Sequence, residues 1–185
     1  WEKEAKKRGL SNNKTAPEAL KALVSKKAIA LYKEMGVMNK IEIEARYEIK
    51  LEEYTKRLQI ESRVLGDISR NHVVPTAIIY QNTLLENTKN LKEIFGGEYK
   101  NIAKEQIELI MIISNHITEI NSLVLKMDAQ RAKANKHSGL KSAEEYCSKV
   151  KPFFEQIRYH CDKLETMVDD NLWPLTKYRE LLFTK

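Results

Sequence analysis

Four histidines, two cysteines and an adjacent pair of aspartates carry most of the reactive chemistry available to this 185-residue chain. His72 lies in RNHVVPTAIIYQN, Arg70 through Asn82, beside Asn71 and near Asp67. A histidine there could serve as a general base only with a nucleophile or substrate pocket in reach, and the sequence indicates neither. Pro75 follows three residues later. An interior proline removes one helical hydrogen bond and crowds the preceding turn, which frees a carbonyl that needs a partner. His72, Asn71 and Asn82 therefore read as hydrogen-bonding groups at a helix bend, not as a reactive site.

His116 stands within an isoleucine-rich face. It reads as a satisfied core or interface histidine; the metal-ligand alternative needs several converging ligands. His160 and Cys161 are neighbours, so on a helix they point about 100° apart and cannot easily share a site. His137 falls in QRAKANKHSGLKS, which reads as a basic, turn-rich loop, and so reads as solvated. Asp169 and Asp170 could bind a cation, but such pairs more often mark a helix end or accept bonds from nearby backbone. Cys147 and Cys161 are fourteen residues apart. On one helix that is about 21 Å, beyond disulfide reach. Reduced, buried thiols are the reading, and they fit a cytoplasmic protein. No Glu-x-x-His pair, CxxC pair or phosphate-binding glycine loop is present, and FGGEYK reads as a helix stop. No residue is assigned to catalysis, to a cofactor or to a metal.

Helices must position these side chains. Charged residues make up 31% of the chain, with six glycines and four prolines, a composition of helices with few breaks. Thr15 and Glu18 have capping-box spacing with Pro17 in the first turn, predicting a short helix to about Val24. Ser25 caps a second, ended by Gly36, and Asn39 caps a long one. The long segment opens ambiguously. Ile41, Ile43, Ala45, Tyr47, Ile49 and Leu51 alternate like a strand. The intervening residues are strong helix formers, and from Tyr47 through Leu51, Tyr54, Leu58, Leu65, Ile68 and His72 the spacing is helical, with Glu61 interrupting. A helix is predicted from Asn39 to Phe95, kinked near Pro75, with Gly66 a second weak point and Gly96-Gly97 its end.

Ile110, Ile113, Ile117, Ile120, Val124 and Met127 form the clearest apolar stripe, broadened by Ile102, Leu109, His116 and Leu123. Ser142 and Glu145 have capping-box spacing ahead of a last long helix. Its face carries Tyr146, Val150, Phe153, Ile157, Cys161, Leu164 and Val168, with a bend or helix start at Pro152. The fold class is all-α: an antiparallel bundle of long helices with short helices at both ends. The stripes predict that Ile113, Ile117, Ile120 and Val124 are buried opposite Phe153, Ile157, Cys161 and Leu164.

The net charge of +6 is uneven. Residues 1–40 hold ten Lys/Arg and four Asp/Glu, and residues 41–185 hold 22 of each. The basic lead could make the chain an autonomous helical binding module for an acidic partner or nucleic acid. No aromatic is interleaved and no recognised motif follows, so a solvated or packed face is the preferred reading. No apolar run approaches the roughly 20 residues a membrane helix needs. A first residue of Trp1 in a charged segment suggests a fragment of something longer.

The long helix also carries a resemblance. IEIEARYEIKLEEYTKRLQIESRVLGDISRNHVVPTAIIYQNTLLEN and VKPFFEQIRYHCDKLETMVDDNLWPLTKYRELLF are similar to the C-terminal region of type III glutamine synthetases. GLSNNKTAPEALKALVSKKAIALYKEMG resembles the stretch where that family's catalytic domain finishes, with Pro17, Leu20 and Leu23 echoing a Pro-x-x-Leu-x-x-Ala-Leu pattern imperfectly. The resemblance implies residues 1–38 as the tail of a catalytic domain and residues 39–185 as a C-terminal helical domain. It implies a parent enzyme that uses ATP and Mg to join ammonia to glutamate, working as a ring-shaped homo-oligomer in the cytoplasm. It implies partners in the rest of the parent chain and neighbouring subunits. Because the family's nucleotide, metal and substrate motifs are missing here, no cofactor bound by this segment and no turnover by it alone are expected. Its charge pattern and short apolar runs predict neither nucleic acid nor membrane as partner.

Overall fold

The computed structural model describes residues Trp1–Phe183. In chain order the helices are α1 (Glu2–Lys7), α2 (Ala16–Lys21), α3 (Lys26–Glu34), α4 (Lys40–Ile68), α5 (Val74–Phe95), α6 (Tyr99–Ile102), α7 (Lys104–Ala134), α8 (Gly139–Glu145), α9 (Pro152–Glu165) and α10 (Tyr178–Leu181). No strand occurs among the described residues, and the all-α class holds.

Local chemistry sets the boundaries. The Thr15 and Ser25 hydroxyls accept from the backbone N–H groups of Glu18 and Ala28, opening α2 and α3. The cap of α4 is reciprocal: Glu42 N–H donates to Asn39 Oδ1 at 3.0 Å, and Asn39 N–H donates to Glu42 Oε2 at 2.7 Å. Gly36 and Gly96 end their helices with φ of +65° and +59°, a region that a side chain disfavours.

The strand-like opening of α4 is helical, as predicted. Ile43 and Leu51 are buried and Tyr47 half-buried, while Ile41 and Ile49 are exposed. Burial thus follows the four-residue spacing and ignores the alternation. The interruption at Glu61 also resolves: Glu61 is exposed, and its neighbour Ser62 takes the buried position.

Each interior proline is preceded by a π-helical turn. Ser69–Val73 leads into Pro75, and Tyr146–Val150 leads into Pro152. In both, the residue just before the ring donates five residues back, Val74 N–H to Ser69 O in one and Lys151 N–H to Tyr146 O in the other. Widening the spacing from four to five accommodates one extra residue where the proline ring would meet a helical carbonyl.

Three expectations need correction. Ser142 and Glu145 do not cap a helix. α8 begins three residues earlier, after Ser138, and Ser142 is buried inside it, its hydroxyl donating to Ala134 O at 3.4 Å. The basic stretch after Met127 is mostly not loop, because α7 runs to Ala134 and the turn occupies only residues 135–138. Gly66 is not a break. It is buried within α4, and a Cβ there would lie 3.3 Å from Val124 Cγ1 and 3.7 Å from Met127 Cε, so its small size serves close approach to α7.

The chain forms two compact units. The first comprises residues 1–61 and 129–152, and the second residues 62–128 and 153–185. The core of the first includes Ile43, Leu51, Leu58, Ala134, Ala143, Tyr146 and Val150. The core of the second includes Val73, Ala77, Ile113, Ile120, Val124, Ile157 and Leu164. Of the expected stripe on α7, Ile113, Ile120, Val124 and Met127 are buried. Ile117 is only half-buried, as are Phe153 and Cys161 on the expected opposing face.

Candidate functional site

In the second unit, α9 presents two successive side chains to two different elements. His160 Nδ1 lies 2.8 Å from His116 Nδ1 on α7, with ring centroids 5.1 Å apart in an edge-on arrangement. Cys161 Sγ lies 3.5 Å from Ser69 Oγ in the π turn. The divergence expected of helical neighbours is observed, and each direction finds a partner. The Ser69 hydroxyl also donates to Leu65 O at 2.7 Å, four residues back.

Two imidazole nitrogens at hydrogen-bond distance need one proton between them, so one ring donates and the other accepts. His116 is held in its neutral form more firmly than an ordinary imidazole. Burial is the largest cause, followed by the positive charges that His160 and Lys163 would oppose to it. Tyr159 stacks edge-on against His160 at 5.2 Å between centroids. Among the described residues, no three His, Cys, Asp or Glu side chains converge as a metal site would require. His116 is therefore a satisfied interhelical histidine, the reading its isoleucine surroundings favoured. Its partner was not legible: 44 residues separate it from His160, and no local spacing links them.

The other candidates are local. His72 is exposed, and so are Asn71 and Asn82. Asn71 Nδ2 donates to the Asp67 carboxylate. A hydrogen-bonding role was expected of His72; the π turn instead brings Ser69 to the inner face, where its buried hydroxyl donates to Leu65 O, and leaves His72 exposed. Asp169 Oδ1 accepts from the backbone N–H of Asn171 at 2.7 Å and from its amide at 3.0 Å, the backbone-bonding role anticipated. Asp170 pairs with Lys177 Nζ, which also donates to Glu165 O at 3.0 Å.

In the first unit, His137 Nε2 is 4.0 Å from Glu145 Oε1, and Lys149 holds the same oxygen at 2.8 Å. Lys149, by its hydrogen bond, keeps the Glu145 carboxyl below its usual range. Cys147 is hydrogen-bonded to Tyr54, whose phenol is pushed well up by burial first and by that bond second. Both cysteines are free and half-buried, and burial pushes the Cys161 thiol up, which suppresses the reactive thiolate. A polar hollow of about 600 Å³ opens between α4 and the turn into α8, lined by Glu48, Thr55, Gln59, Asn135 and Ser138 among others. Gln59 spans it to Asn135, amide to carbonyl, at 2.8 Å.

These contacts pin helices together. They form a helical domain with no nucleophile–base pair described, and comparison with known proteins supplies its class. A family model for the glutamine synthetase C-terminal domain matches residues 1–92. A glutamine synthetase of Bacteroides fragilis (strain YCH46) is 46% identical over 187 residues, covering 100% of this chain and 26% of that protein. A type-3 glutamine synthetase of Dictyostelium discoideum is 30% identical over 189 residues, covering 100% of the chain and 25% of that protein. A glutamine synthetase of Butyrivibrio fibrisolvens is 26% identical over 185 residues. The chain belongs to the glutamine synthetase C-terminal domain family. More narrowly, it is a C-terminal region of the kind found in type III glutamine synthetases, spanning about a quarter of the length of these relatives.

Proposed function

We propose that this domain packs against the remainder of a glutamine synthetase and against neighbouring subunits, and so serves assembly of the enzyme. The carrying observation is the apolar surface left on its long helices. Ile60 and Val64 on α4, Ile78, Ile79 and Leu85 on α5, and Met111 and Ile112 on α7 are all exposed. Ile79 and Met111 are each 54% accessible. Single exposed apolar residues are ordinary, but rows of large ones at helical spacing mark surfaces meant for contact.

In this reading residues 1–38 finish a catalytic domain, residues 39–185 form the helical domain, and the parent is a cytoplasmic ligase that joins ammonia to glutamate with ATP and Mg. In the same reading the metal and nucleotide chemistry belongs to the rest of the parent. No described helix is long and apolar enough to cross a membrane. The domain acts on catalysis by fixing subunit geometry, since a misplacement of about 1 Å in a positioned group can cost on the order of 100-fold in rate.

Truncating the parent from Glu61 onward and measuring solution mass with specific activity tests this. Loss of the ring and of activity together is the expected result. A soluble truncation of unchanged mass and full activity would overturn it. The purified chain, given glutamate, ammonia, ATP and Mg²⁺, is expected to form no glutamine above a contaminant control.

A further inference from the structure

We infer that the His116–His160 pair is a proton-sensitive clasp, which fastens α9 to α7 while the pair shares a single proton and releases it when both rings are protonated. The geometry carries this. The two Nδ1 atoms sit 2.8 Å apart, a distance that demands one donor and one acceptor. A second proton on the accepting nitrogen would leave two N–H groups facing each other and two like charges in contact. Both rings are half-buried, so water screens that repulsion only in part.

The charged and titratable groups around the pair do not offset it. Lys163 on α9 adds positive charge that opposes protonation of His116, and its ammonium lies 5.6 Å from the Tyr159 ring. Tyr159 itself is neutral and edge-on to His160. Glu119 on α7 and Glu155 on α9 line an open hollow with His160, and both are exposed to solvent. From the π turn, the contact on α9 is the neutral Ser69–Cys161 pair, and Arg70 of that turn is engaged by Asp128 at 3.6 Å. From α5, Gln81 reaches Ser114 and the Ile110 carbonyl, also neutral groups.

The sign follows from proton linkage. His116 is neutral in the folded chain at a pH where the unfolded chain would take up a proton. The clasp's stabilisation is therefore complete above the ordinary imidazole range, near 6.5, and declines as the pH falls below it. Release of His160 leaves Cys161–Ser69 as the remaining polar contact from this pair of neighbours, so the expected response is loosening of α9, not global unfolding.

The test is thermal denaturation of the 185-residue chain between pH 7.5 and 5.5, beside the His116→Asn/His160→Asn double variant. Two asparagine amides can reform the bond without titrating. The wild type is expected to lose Tm on acidification, and the variant to lose clearly less. Equal losses would overturn the proposal. Imidazole NMR gives a reading even where the double variant folds poorly. In the single His160→Asn variant, the His116 titration midpoint is expected to rise, since the opposing charge is gone. An unmoved midpoint would overturn the proposal equally.

Discussion

Ile117 and Ile120 sit three residues apart on α7 and show how much one turn of a helix decides. Both belong to the same sequence stripe, yet Ile120 is fully buried and Ile117 only half-buried. Ile120→Ala is expected to cost about 2–5 kcal/mol, the range for truncating a packed isoleucine. Ile117→Ala should cost clearly less, because part of its surface is already wet. Chemical denaturation of both variants checks the order; a larger loss at Ile117 would place the core on the other side of α7. Gly66 poses the opposite case. A Cβ gains about 1 kcal/mol of helix propensity over glycine, but here it would press on Val124 Cγ1 at 3.3 Å. Val124 is itself fully packed and has little room to yield. Gly66→Ala is expected to destabilise the chain, and a raised Tm would show that the contact gives way easily.

The two π turns are the features of greatest consequence among the elements. A π turn holds one residue more than a regular helix would, and here the inward face runs through it: Ser69 and Val73 at its two ends and Ala77 after it are all buried. His72 and Asn71 are the exposed members of the first turn. Deleting His72 alone should restore four-residue spacing and drive the Pro75 ring against a helical carbonyl, a conflict of about 3 kcal/mol or more. Deleting His72 together with Pro75→Ala should remove that conflict and recover most of the stability. Denaturant midpoints of the two variants decide it; equal midpoints would mean that the proline is not what sustains the turn. At the other end of α4, Asn39→Ala breaks a reciprocal cap and should cost about 1 kcal/mol.

At the scale of the whole molecule, the exposed rows on α5 and α7 set the behaviour of the chain without its parent. Contiguous apolar surface promotes association. The isolated chain is expected to self-associate with rising concentration, and Ile79→Glu combined with Met111→Glu should reduce that association while leaving helix content by circular dichroism unchanged. Sedimentation at several concentrations measures it. Identical association in the variant would move the sticky surface elsewhere. The basic lead should matter less. Arg8 bonds Glu4, Lys14 reaches Glu2 and Lys21 reaches Glu144, so part of its charge is answered within the first unit by exposed pairs that salt weakens.

The amino-acid sequence by itself determined the helical class, the caps at Thr15, Ser25 and Asn39, the glycine stops, the irregularity ahead of Pro75 and most of the buried stripe on α7. These are local: each depends on side chains within about one or two turns, where spacing along the chain is also proximity in space. The similar proteins, too, were legible in the long segments between Ile41 and Asn87 and after Val150. What only the tertiary structure decided is who meets whom across helices. His116 finds His160, Ser69 finds Cys161, Tyr54 finds Cys147, and Gly66 makes room for Val124 and Met127. Ser69 carried no signal and Ser142 carried a misleading one, a capping-box spacing, because a small polar residue at a core position reads like any surface or cap serine until a π turn or an earlier helix start rotates it inward. A shift of one residue turns a helical face by about 100°. The sequence therefore states which residues can be buried, and packing alone settles which of them touch.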